Sequence, residues 1–401
     1  MTLSPTEMPL LHTLRDDAAG LASRMVTNRR RIHEFPEQGL RLPRTQAVVV
    51  EELERIGVSS IETGTALTSV VAEIAGAGNG LLHRKTVALR ADMDALPLRE
   101  HNDLAFRSRN DGSMHACGHD AHVAMLLGAA EILMRHRGAF HGTVRLVFQP
   151  GEEGYGGARM MIEEKALDGV DAAFALHVDP STPVGLFCIR RGTVMASADS
   201  FVVVFKGRGG HASMPHHARD PIPAIGPFVD ALSHAVARET DPDDRIVISV
   251  TQVKAGTANN VIPPTVECGG TIRALSPRGR AKAHEQLRRV ARGVAATLDL
   301  QVDVSLHDGY PPTVNHDAPV ELFERTAARL GMRTVAMPSP VMGAEDFSYM
   351  LEKVPGAFGF LGAQTDGGGP LHSDLMKIDE AVLTKGAALH AAIAMSFLAA
   401  S

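Results

Sequence analysis

Apolar runs and amphipathic segments alternate along the first half of the chain, and this alternation limits the fold more than any other feature. Four runs are rich in β-branched and apolar residues and are bounded by glycine or proline: SVVAEIAG, KTVALRADMDALPL, TVRLVFQP and VDAAFALHV. Two segments among them have helical character, HDAHVAMLLGAAEILMRHR and GGARMMIEEKAL. Strands that alternate with helices predict an α/β layered domain with a central sheet.

The pattern changes after about Phe187. A long alternating strand, ADSFVVVFKGRG, is followed by a helix, two strands, a strongly amphipathic helix and the strand QVDVSLHDGY. The order β-α-β-β-α-β is that of a split, ferredoxin-like unit. The sequence therefore predicts an α/β domain of residues 1–187 and 308–401, interrupted by an inserted α+β domain of residues 188–307.

Further helices are predicted outside these alternating segments. One covers residues 16–31, and another covers residues 45–56 with Gly57 as its C-terminal stop. The segment PVMGAEDFSYML is interpreted as helical, and a last helix is predicted to begin at about Asp379.

Composition excludes several classes of partner. The chain has 401 residues, and 40 Lys and Arg against 46 Asp and Glu give a formal net charge of −6. With no long run of one sign, no tryptophan and 4% aromatic residues, neither nucleic acid nor a membrane is expected as a partner.

Cysteine usage and the N-terminus predict a cytoplasmic protein. Three widely spaced cysteines do not make a disulfide framework and favour a reducing compartment. The N-terminus does not resemble a secretory signal, and we expect no membrane-spanning run.

The segment MHACGHDAHVA concentrates residue types that bind metals. Cys117, His119, Asp120 and His122 lie within six positions just before a helix, and small neighbours let alternate side chains converge. Thiolate and imidazole suit zinc and similar metals. A nucleophilic cysteine paired with His119 is the rival interpretation, although an i,i+2 pair is poorly placed for that role.

Three further places carry metal-type residues at the ends of predicted elements. In QPGEEGYGG, Glu152 and Glu153 follow an apolar strand, and consecutive side chains in an extended chain point in opposite directions. One carboxylate can therefore bind a metal while the other faces a water. His177 ends the run ALHV, and His372 lies in the glycine-rich loop GGGPLHSD. Each of these alone has an ordinary structural interpretation, but together they favour a metal centre.

The chain resembles the M20 family of metallopeptidases, in the amidohydrolase subfamily that includes hippurate hydrolases and auxin-conjugate hydrolases. The resemblance extends from about residue 29 to 373 and is carried by ten stretches: RRIHEFPEQGL, ALRADMDALPL, MHACGHDAH, FQPGEEG, ALHV, GRGGHASMPH, TANNVIP, GTIRAL, GAEDFSY and PLHSD. It implies a metal-bearing catalytic domain with an inserted lid through which the protein forms a homodimer.

The resemblance implies a set of site residues. The ligands of two divalent ions, Zn²⁺ or Mn²⁺ with Co²⁺ and Ni²⁺ as alternatives, would be Cys117, His119, Glu153, His177 and His372. Cys117 would bridge, with His119 and His177 on one ion and Glu153 and His372 on the other. Glu152 matches the general base. Supporting roles behind the ligands fall to Asp92, Asp94, Asp120 and Glu345, the last with Asp346 on the loop that leads to His372.

The inserted domain contributes a second set by the same resemblance. His211, in GGHASMPH, resembles a lid histidine that stabilises the oxyanion and is often delivered by the partner subunit. Asn260 and Arg273 resemble residues that bind the substrate carboxylate, a task that suits the planar fork of arginine. An ordinary surface turn, or a strand ion pair for Arg273, is the alternative interpretation.

These residues predict metal-dependent hydrolysis of the amide bond in N-acyl amino acids such as acetyl or benzoyl derivatives. A dipeptidase or carboxypeptidase on the same scaffold is the first alternative. The second is a non-catalytic metal-binding or interaction protein.

Overall fold

In a computed structural model, which describes residues 7–78, 84–241 and 244–399, the chain divides into two compact units. Unit 1 contains residues 1–194, 314–338 and 346–401, and unit 2 contains residues 195–313 and 339–345. The first division falls after Val194 and not after residue 187, because the strand that begins at Leu186 pairs within the large sheet of unit 1. The chain leaves unit 2 after Thr313, and residues 339–345 also belong to unit 2.

Unit 1 is built on an eight-stranded sheet. In chain order its strands are β1 (Ser60–Thr63), β2 (Val70–Ala75), β3 (Thr86–Asp92), β4 (Thr143–Gln149), β5 (Ala172–Asp179), β6 (Leu186–Ile189), β15 (Arg333–Ala336) and β16 (Gly356–Gly362). The order across the sheet is β1-β2-β4-β3-β5-β16-β6-β15. The four central strands are mutually parallel, so their carboxyl ends lie along one edge. The expected α/β class with a large central sheet is confirmed.

Helices cover this sheet. They are α1 (Glu7–Gly20), α2 (Ala22–His33), α3 (Pro43–Ile56), α4 (His119–Arg135), α5 (Gly157–Glu163), α8 (Asp317–Arg329), α9 (Ser348–Leu351) and α10 (Val382–Ala399), with a 3-10 turn at Arg137–Ala139. Helices α4 and α10 pack against each other and are almost wholly buried. Within the described residues α10 alone is long and apolar enough to cross a membrane, but it is a buried helix of the core.

Unit 2 has its own sheet and core. Its strands β8 (Ala198–Lys206), β10 (Ile246–Ala255), β12 (Thr265–Ala274) and β13 (Gln301–Tyr310) form an antiparallel sheet in the order β10-β12-β8-β13. Two helices, α6 (Ile225–Glu239) and α7 (Pro277–Thr297), pack on it. Its remaining pieces are the strand pair β9 (Gly210–His211) with β11 (Val261–Ile262) and 3-10 turns at Pro215–His217 and Ile222–Ala224. The strand pair β7 (Gly192–Met195) with β14 (Thr313–Asn315) lies where the chain passes from one unit to the other, and most of its residues belong to unit 1.

Local signals predicted some boundaries and missed others. Helix α3 ends at Ile56 because Gly57 adopts a left-handed conformation with φ 88°, as the sequence predicted. The predicted helix at 16–31 is two helices, α1 and α2, separated at Leu21. The predicted helix at 340–351 is wrong: only Ser348–Leu351 is helical, because the Asp346 side chain binds groups in the core of unit 1.

Candidate metal centre and active site

The candidate site of unit 1 lies where the parallel strands end. Asp92 ends β3 and pairs in register with Gln149, which ends β4 three residues before Glu152. His177 lies two residues from the end of β5. Because the carboxyl ends of parallel strands meet at one edge of a sheet, residues distant in the sequence come together here.

A tight turn carries Cys117 and His119 to this edge. Between them Gly118 has φ 90°, and a Cβ atom on it would lie 2.4 Å from Cγ2 of Val178 on β5. Only glycine allows the turn to approach the strand so closely. Helix α4 then begins at His119, so the metal-type side chains stand at the first turn of a buried helix.

Hydrogen bonds fix which nitrogen of each histidine can bind a metal. Nδ1 of His119 donates to the carbonyl of Asp94 at 2.8 Å, and its buried Nε2 has no hydrogen-bond partner. Nδ1 of His177 donates to the carbonyl of Val178 at 2.8 Å, and its Nε2 lies 3.3 Å from the Sγ atom of Cys117. In both rings Nε2 is therefore the nitrogen that faces the site and can bind a metal once it carries no proton.

Two groups of potential ligands share Cys117. Cys117, His119 and His177 form one, and Cys117, Glu153 and His372 form the other, with one ligand atom from each residue within 4.8 Å of the others in its group. Oε1 of Glu153 lies 3.4 Å from Nε2 of His372. The structure thus brings together all five residues that the resemblance implies as ligands.

His372 is held in a strained backbone conformation. Its φ is 63°, in the left-handed region that non-glycine residues seldom adopt, and its backbone N–H donates to the carbonyl of Ala116 at 2.8 Å. Such strain persists where surrounding contacts impose it and is common at functional sites. The bond to Ala116 ties the His372 loop to the Cys117 turn.

Asp94 organises both halves of the site. Its two carboxylate oxygens accept hydrogen bonds from the backbone N–H groups of Glu152 and Glu153, each at 3.0 Å. Its backbone carbonyl accepts a hydrogen bond from Nδ1 of His119. Glu152 is buried, and its carboxylate lies within 4.8 Å of ligand atoms of His119 and Glu153. One residue therefore positions a candidate ligand and the candidate general base.

Asp92 lies beside the potential ligands, 3.6 Å from Nε2 of His119. It accepts hydrogen bonds from Arg90 Nη1 at 2.6 Å and from His122 Nδ1 at 2.5 Å. Burial opposes its charge, yet Arg90, His119 and His122 hold the pKa of Asp92 well below its usual range.

His122 is excluded as a simple ligand by its own contacts. Its Nδ1 donates to Asp92, and its Nε2 accepts the backbone N–H of Val178 at 2.9 Å. Both nitrogens of this buried ring are therefore engaged, and the ring links Asp92 to β5 beside His177.

A buried network that the sequence did not reveal holds Asp92. Arg90, 2% exposed, also donates to Gln149 at 2.9 Å and to Asp346 at 2.9 Å. Asp346 accepts the backbone N–H of Ala158, in the first turn of α5, at 2.9 Å. Asp346 thus braces the segment after Glu153, and the predicted role of Asp346 in holding the His372 loop is not observed. A charged residue inside the apolar run VALRAD was the available signal.

The two remaining supporting residues are placed differently from expectation. Asp120 accepts hydrogen bonds from Arg29 Nε at 3.0 Å and His33 Nδ1 at 2.8 Å, so it anchors the start of α4 to α2. Glu345 belongs to unit 2, where its carbonyl accepts a hydrogen bond from Thr313 at 3.3 Å. Arg29 and His33 were not predicted, although both lie in or beside the RRIHEFPEQGL stretch.

Electrostatics favour a cation in the site. Burial, and next Glu153, raise the pKa of the Cys117 thiol well above its usual value, so without a cation the thiol keeps its proton. Burial lowers the pKa of His119, but Asp92 and Asp94 raise it to about 10. A buried thiol whose pKa is raised keeps its proton and is a poor nucleophile, which argues against the cysteine-nucleophile interpretation.

The residues present fit a metal. Nε2 of His119 and Oε1 of Glu153 are buried atoms without a hydrogen-bond partner. The first belongs to one of the two ligand groups that share Cys117, and the second belongs to the other. Buried polar atoms normally have partners, so unpartnered ones that converge on a thiol point to a ligand. Thiolate, imidazole and carboxylate are the donors that zinc and related ions accept.

In unit 2, His211 and Asn260 lie beyond one end of the four-stranded sheet, and Arg273 lies near the other end. His211 on β9 is exposed and pairs with Val261, and the N–H of Ala212 donates to the carbonyl of Asn260 at 3.0 Å. Arg273 is half-buried at the other end of β12, beside Val247. From Thr265 to Arg273 the strand advances eight residues, or about 26 Å at 3.3 Å per residue. His211 and Asn260 are therefore together, and Arg273 is far from both.

The fold and the site together define a metal-dependent hydrolase of the α/β type. Residues 88–396 match the model of peptidase family M20/M25/M40, and the chain belongs to this family. It is a hydrolase that acts on amide bonds. The amidohydrolase resemblance drawn from the sequence is confirmed.

Similar proteins support this assignment. The chain is 41% identical to thermostable carboxypeptidase 1 of Saccharolobus solfataricus over 97% of this chain and 99% of that protein. It is 39% identical to N-acetylcysteine deacetylase of Bacillus subtilis over 94% and 97%. A crystal structure from Bacillus subtilis, described as a dinuclear metal-binding peptidase from the M20 family, superposes with a TM-score of 0.84 at 36% identity and covers 95% of this chain and 99% of that chain.

Proposed function

We propose that this protein is a metal-dependent amidohydrolase that cleaves N-acyl amino acids, such as acetyl or benzoyl derivatives, to a carboxylic acid and a free amino acid. The observation that carries the proposal is the sharing of Cys117 by two groups of ligand-type side chains, with Glu152 adjoining them. The similarity to a deacetylase of an N-acetyl amino acid supports the substrate class.

Two divalent cations would be held by the shared thiolate. His119 and His177 would complete one ion, and Glu153 and His372 the other, with Zn²⁺ or Mn²⁺ as the first choices and Co²⁺ or Ni²⁺ as alternatives. When bound, the ions would supply Lewis acidity and lower the pKa of a water at the site. Asp94, through the backbone of Glu152 and Glu153, would keep the base and one ligand in fixed positions.

Glu152 would be the general base. It would take a proton from the attacking water and pass that proton to the departing amine, so that a single carboxylate serves both steps. Its position at the strand edge suits this role, because its buried carboxylate lies within 4.8 Å of ligand atoms of His119 and Glu153.

Unit 2 would act as a lid that binds and orients the substrate. Arg273 and Asn260 would hold the free carboxylate of the amino-acid half, and His211 would donate to the oxyanion. Since Arg273 lies about 26 Å along β12 from the end near His211, one copy of unit 2 does not place both on one small substrate. A homodimer in which the partner supplies His211 and Asn260 resolves this separation.

A cytoplasmic location accords with the cysteines. Cys117, Cys188 and Cys268 are all free in the structure. Free, mostly buried thiols persist in a reducing compartment.

A carboxypeptidase activity is the second candidate. The similarity to thermostable carboxypeptidase 1 favours it, and the two activities share the demand for a free carboxylate on the leaving amino acid. They differ in what precedes the scissile amide, which is a simple acyl group in one case and a peptide in the other.

One panel of assays tests both candidates. Wild-type protein loaded with Zn²⁺, Mn²⁺ or Co²⁺ is given N-acetyl, N-benzoyl and N-succinyl amino acids, free dipeptides and N-blocked dipeptides. We expect acyl amino acids to have the highest kcat/KM. Glu152→Gln should keep its metals and lose about 10²- to 10⁴-fold in kcat. Glu163→Gln, an exposed acid on α5, is the matched control. Near-normal hydrolysis by the metal-loaded Glu152→Gln protein contradicts the proposed mechanism.

A further inference from the structure

We propose that Ser213 is a positioning residue that holds His211 in the neutral tautomer with its proton on Nε2. The inference rests on the proposed function, in which His211 donates to the oxyanion. In this proposal Ser213 is the residue that makes the His211 ring a hydrogen-bond donor at Nε2.

Two hydrogen bonds from one residue converge on Nδ1 of His211. The backbone N–H of Ser213 lies 3.2 Å from this nitrogen, and the hydroxyl Oγ lies 2.8 Å from it. A backbone N–H can only donate, so Nδ1 is the acceptor and carries no proton. In a neutral imidazole the other nitrogen then bears the hydrogen, which makes Nε2–H the donor on this exposed ring.

The surrounding backbone fixes the turn that returns Ser213 to the ring. His211 is paired with Val261 across β9 and β11, and the N–H of Met214 donates to the carbonyl of His211 at 2.8 Å. The N–H of Ala212 is bound to the carbonyl of Asn260. His211 and Ser213 thus belong to one hydrogen-bonded turn. Contacts with Val261 and Asn260 hold this turn against the neighbouring chain segment.

The hydroxyl is the component that sets the orientation of the ring. The backbone donor lies at 3.2 Å, close to the limit of a good bond, whereas the hydroxyl lies at 2.8 Å. An exposed imidazole without this second donor can rotate and can exchange its proton between the two nitrogens. A ring with its proton on Nδ1 would present a lone pair on Nε2 to the oxyanion and would repel it.

The same tautomer separates the role of His211 from that of the general base. With Nδ1 occupied by two donors and Nε2 protonated, His211 can donate but cannot accept a proton from water. The base must then be another group, and Glu152 is the buried carboxylate that the proposed function assigns to that step.

The test uses the full-length, metal-loaded enzyme and two substitutions at one position. Ser213→Ala removes the hydroxyl and keeps the backbone N–H, and Ser213→Thr restores a hydroxyl. Loss of one neutral hydrogen bond should lower kcat about five- to tenfold and leave KM nearly unchanged, because the oxyanion exists only in the transition state. Ser213→Thr should recover most of kcat. Ser233→Ala on α6, whose hydroxyl bonds within its own helix, is the control.

A spectroscopic measurement separates positioning from folding. In protein labelled with ¹⁵N-histidine, the signals absent from His211→Ala identify the ring, and its two nitrogen shifts report the tautomer. We expect the Nε2–H form in the wild type and a mixture in Ser213→Ala. If Ser213→Ala keeps both the wild-type tautomer and kcat while His211→Ala is impaired, the role of Ser213 is refuted and the proposed function stands. If His211→Ala is fully active, the proposed role of His211 fails, and positioning by Ser213 fails with it.

Discussion

Asp94 shows how much of the candidate site depends on a single carboxylate. Both of its oxygens are used by the backbone of the Glu152–Glu153 pair, and its carbonyl orients His119. The side chain binds neither substrate nor metal in the proposed function. Its effect is to hold two segments of chain at fixed separation, which is how outer groups tune a metal site.

Asp94→Ala is therefore expected to weaken metal binding. Without the carboxylate, the Glu152 and Glu153 backbone loses two hydrogen bonds, and metal affinity should fall about 10- to 100-fold. Competition of the enzyme with a chromophoric chelator measures the change. Asp103→Ala, at an exposed acid, is the control. Equal metal affinity in Asp94→Ala and wild type would show that Asp94 does not position the metal site.

Gly118 offers a second test at the scale of one residue. Gly118 and Gly112 both have a left-handed φ, but a Cβ at Gly112 meets nothing within 4 Å, whereas one at Gly118 meets Val178 Cγ2 at 2.4 Å. Gly112→Ala should lower the free energy of unfolding by about 1–2 kcal/mol because of its left-handed φ, and Gly118→Ala by about 1–3 kcal/mol more because of overpacking. Urea titrations of both variants measure the difference, and equal losses would contradict the close approach of the turn to β5.

At the scale of elements, the strand ends and the first turn of α4 assemble the centre. The sequence could predict α3 and its stop at Gly57, because that signal is local. It could predict the five ligand-type residues, because they recur in recognisable motifs. It could not predict the roles of Arg90 and Gln149, because their shared partner Asp346 is distant in the sequence and reaches them only in the fold. The contacts of Asp346 with Arg90 and Gln149 also explain why the predicted helix at 340–351 is helical only from Ser348.

A buried ion pair between two elements predicts that the stability of unit 2 depends on pH. Asp199 on β8 binds Arg280 of α7 at 2.6 and 2.8 Å, His284 at 2.8 Å and the N–H of Gly309 at 2.9 Å. Burial opposes its charge, but these donors hold the pKa of Asp199 below its usual 3.8. Asp308, largely exposed, is the other acid near Arg280.

The pH dependence follows from that direction. A carboxyl with a folded pKa below its unfolded pKa contributes stability that is fully present above the unfolded value and is lost as pH falls through the folded value. Asp199→Asn should therefore be less stable than wild type at pH 5, and the difference in the free energy of unfolding should shrink below about pH 4. Urea unfolding at several pH values from about 5 to 3 measures it. A difference that grows on acidification within this range would contradict the assignment.

At the scale of the whole molecule, the separation of His211 from Arg273 predicts a site completed by two copies. Mixing inactive variants tests this arrangement. In a heterodimer of His211→Ala and Glu152→Gln, one site would receive Glu152 from the first chain and His211 from the second. Randomly reassociated equal amounts should therefore recover about a quarter of wild-type activity, since half the dimers are mixed and each has one intact site. If each chain used its own His211, the mixture would stay inactive.

The proposed function requires two cations that share Cys117 at the edge of the unit 1 sheet. Anomalous diffraction from crystals of zinc-loaded protein, recorded on both sides of the zinc edge, tests this arrangement. We expect two peaks per chain, each about 2.3 Å from Cys117 Sγ, one beside His119 and His177 and the other beside Glu153 and His372. A single peak, or a pair of peaks that do not share Cys117, would contradict the account.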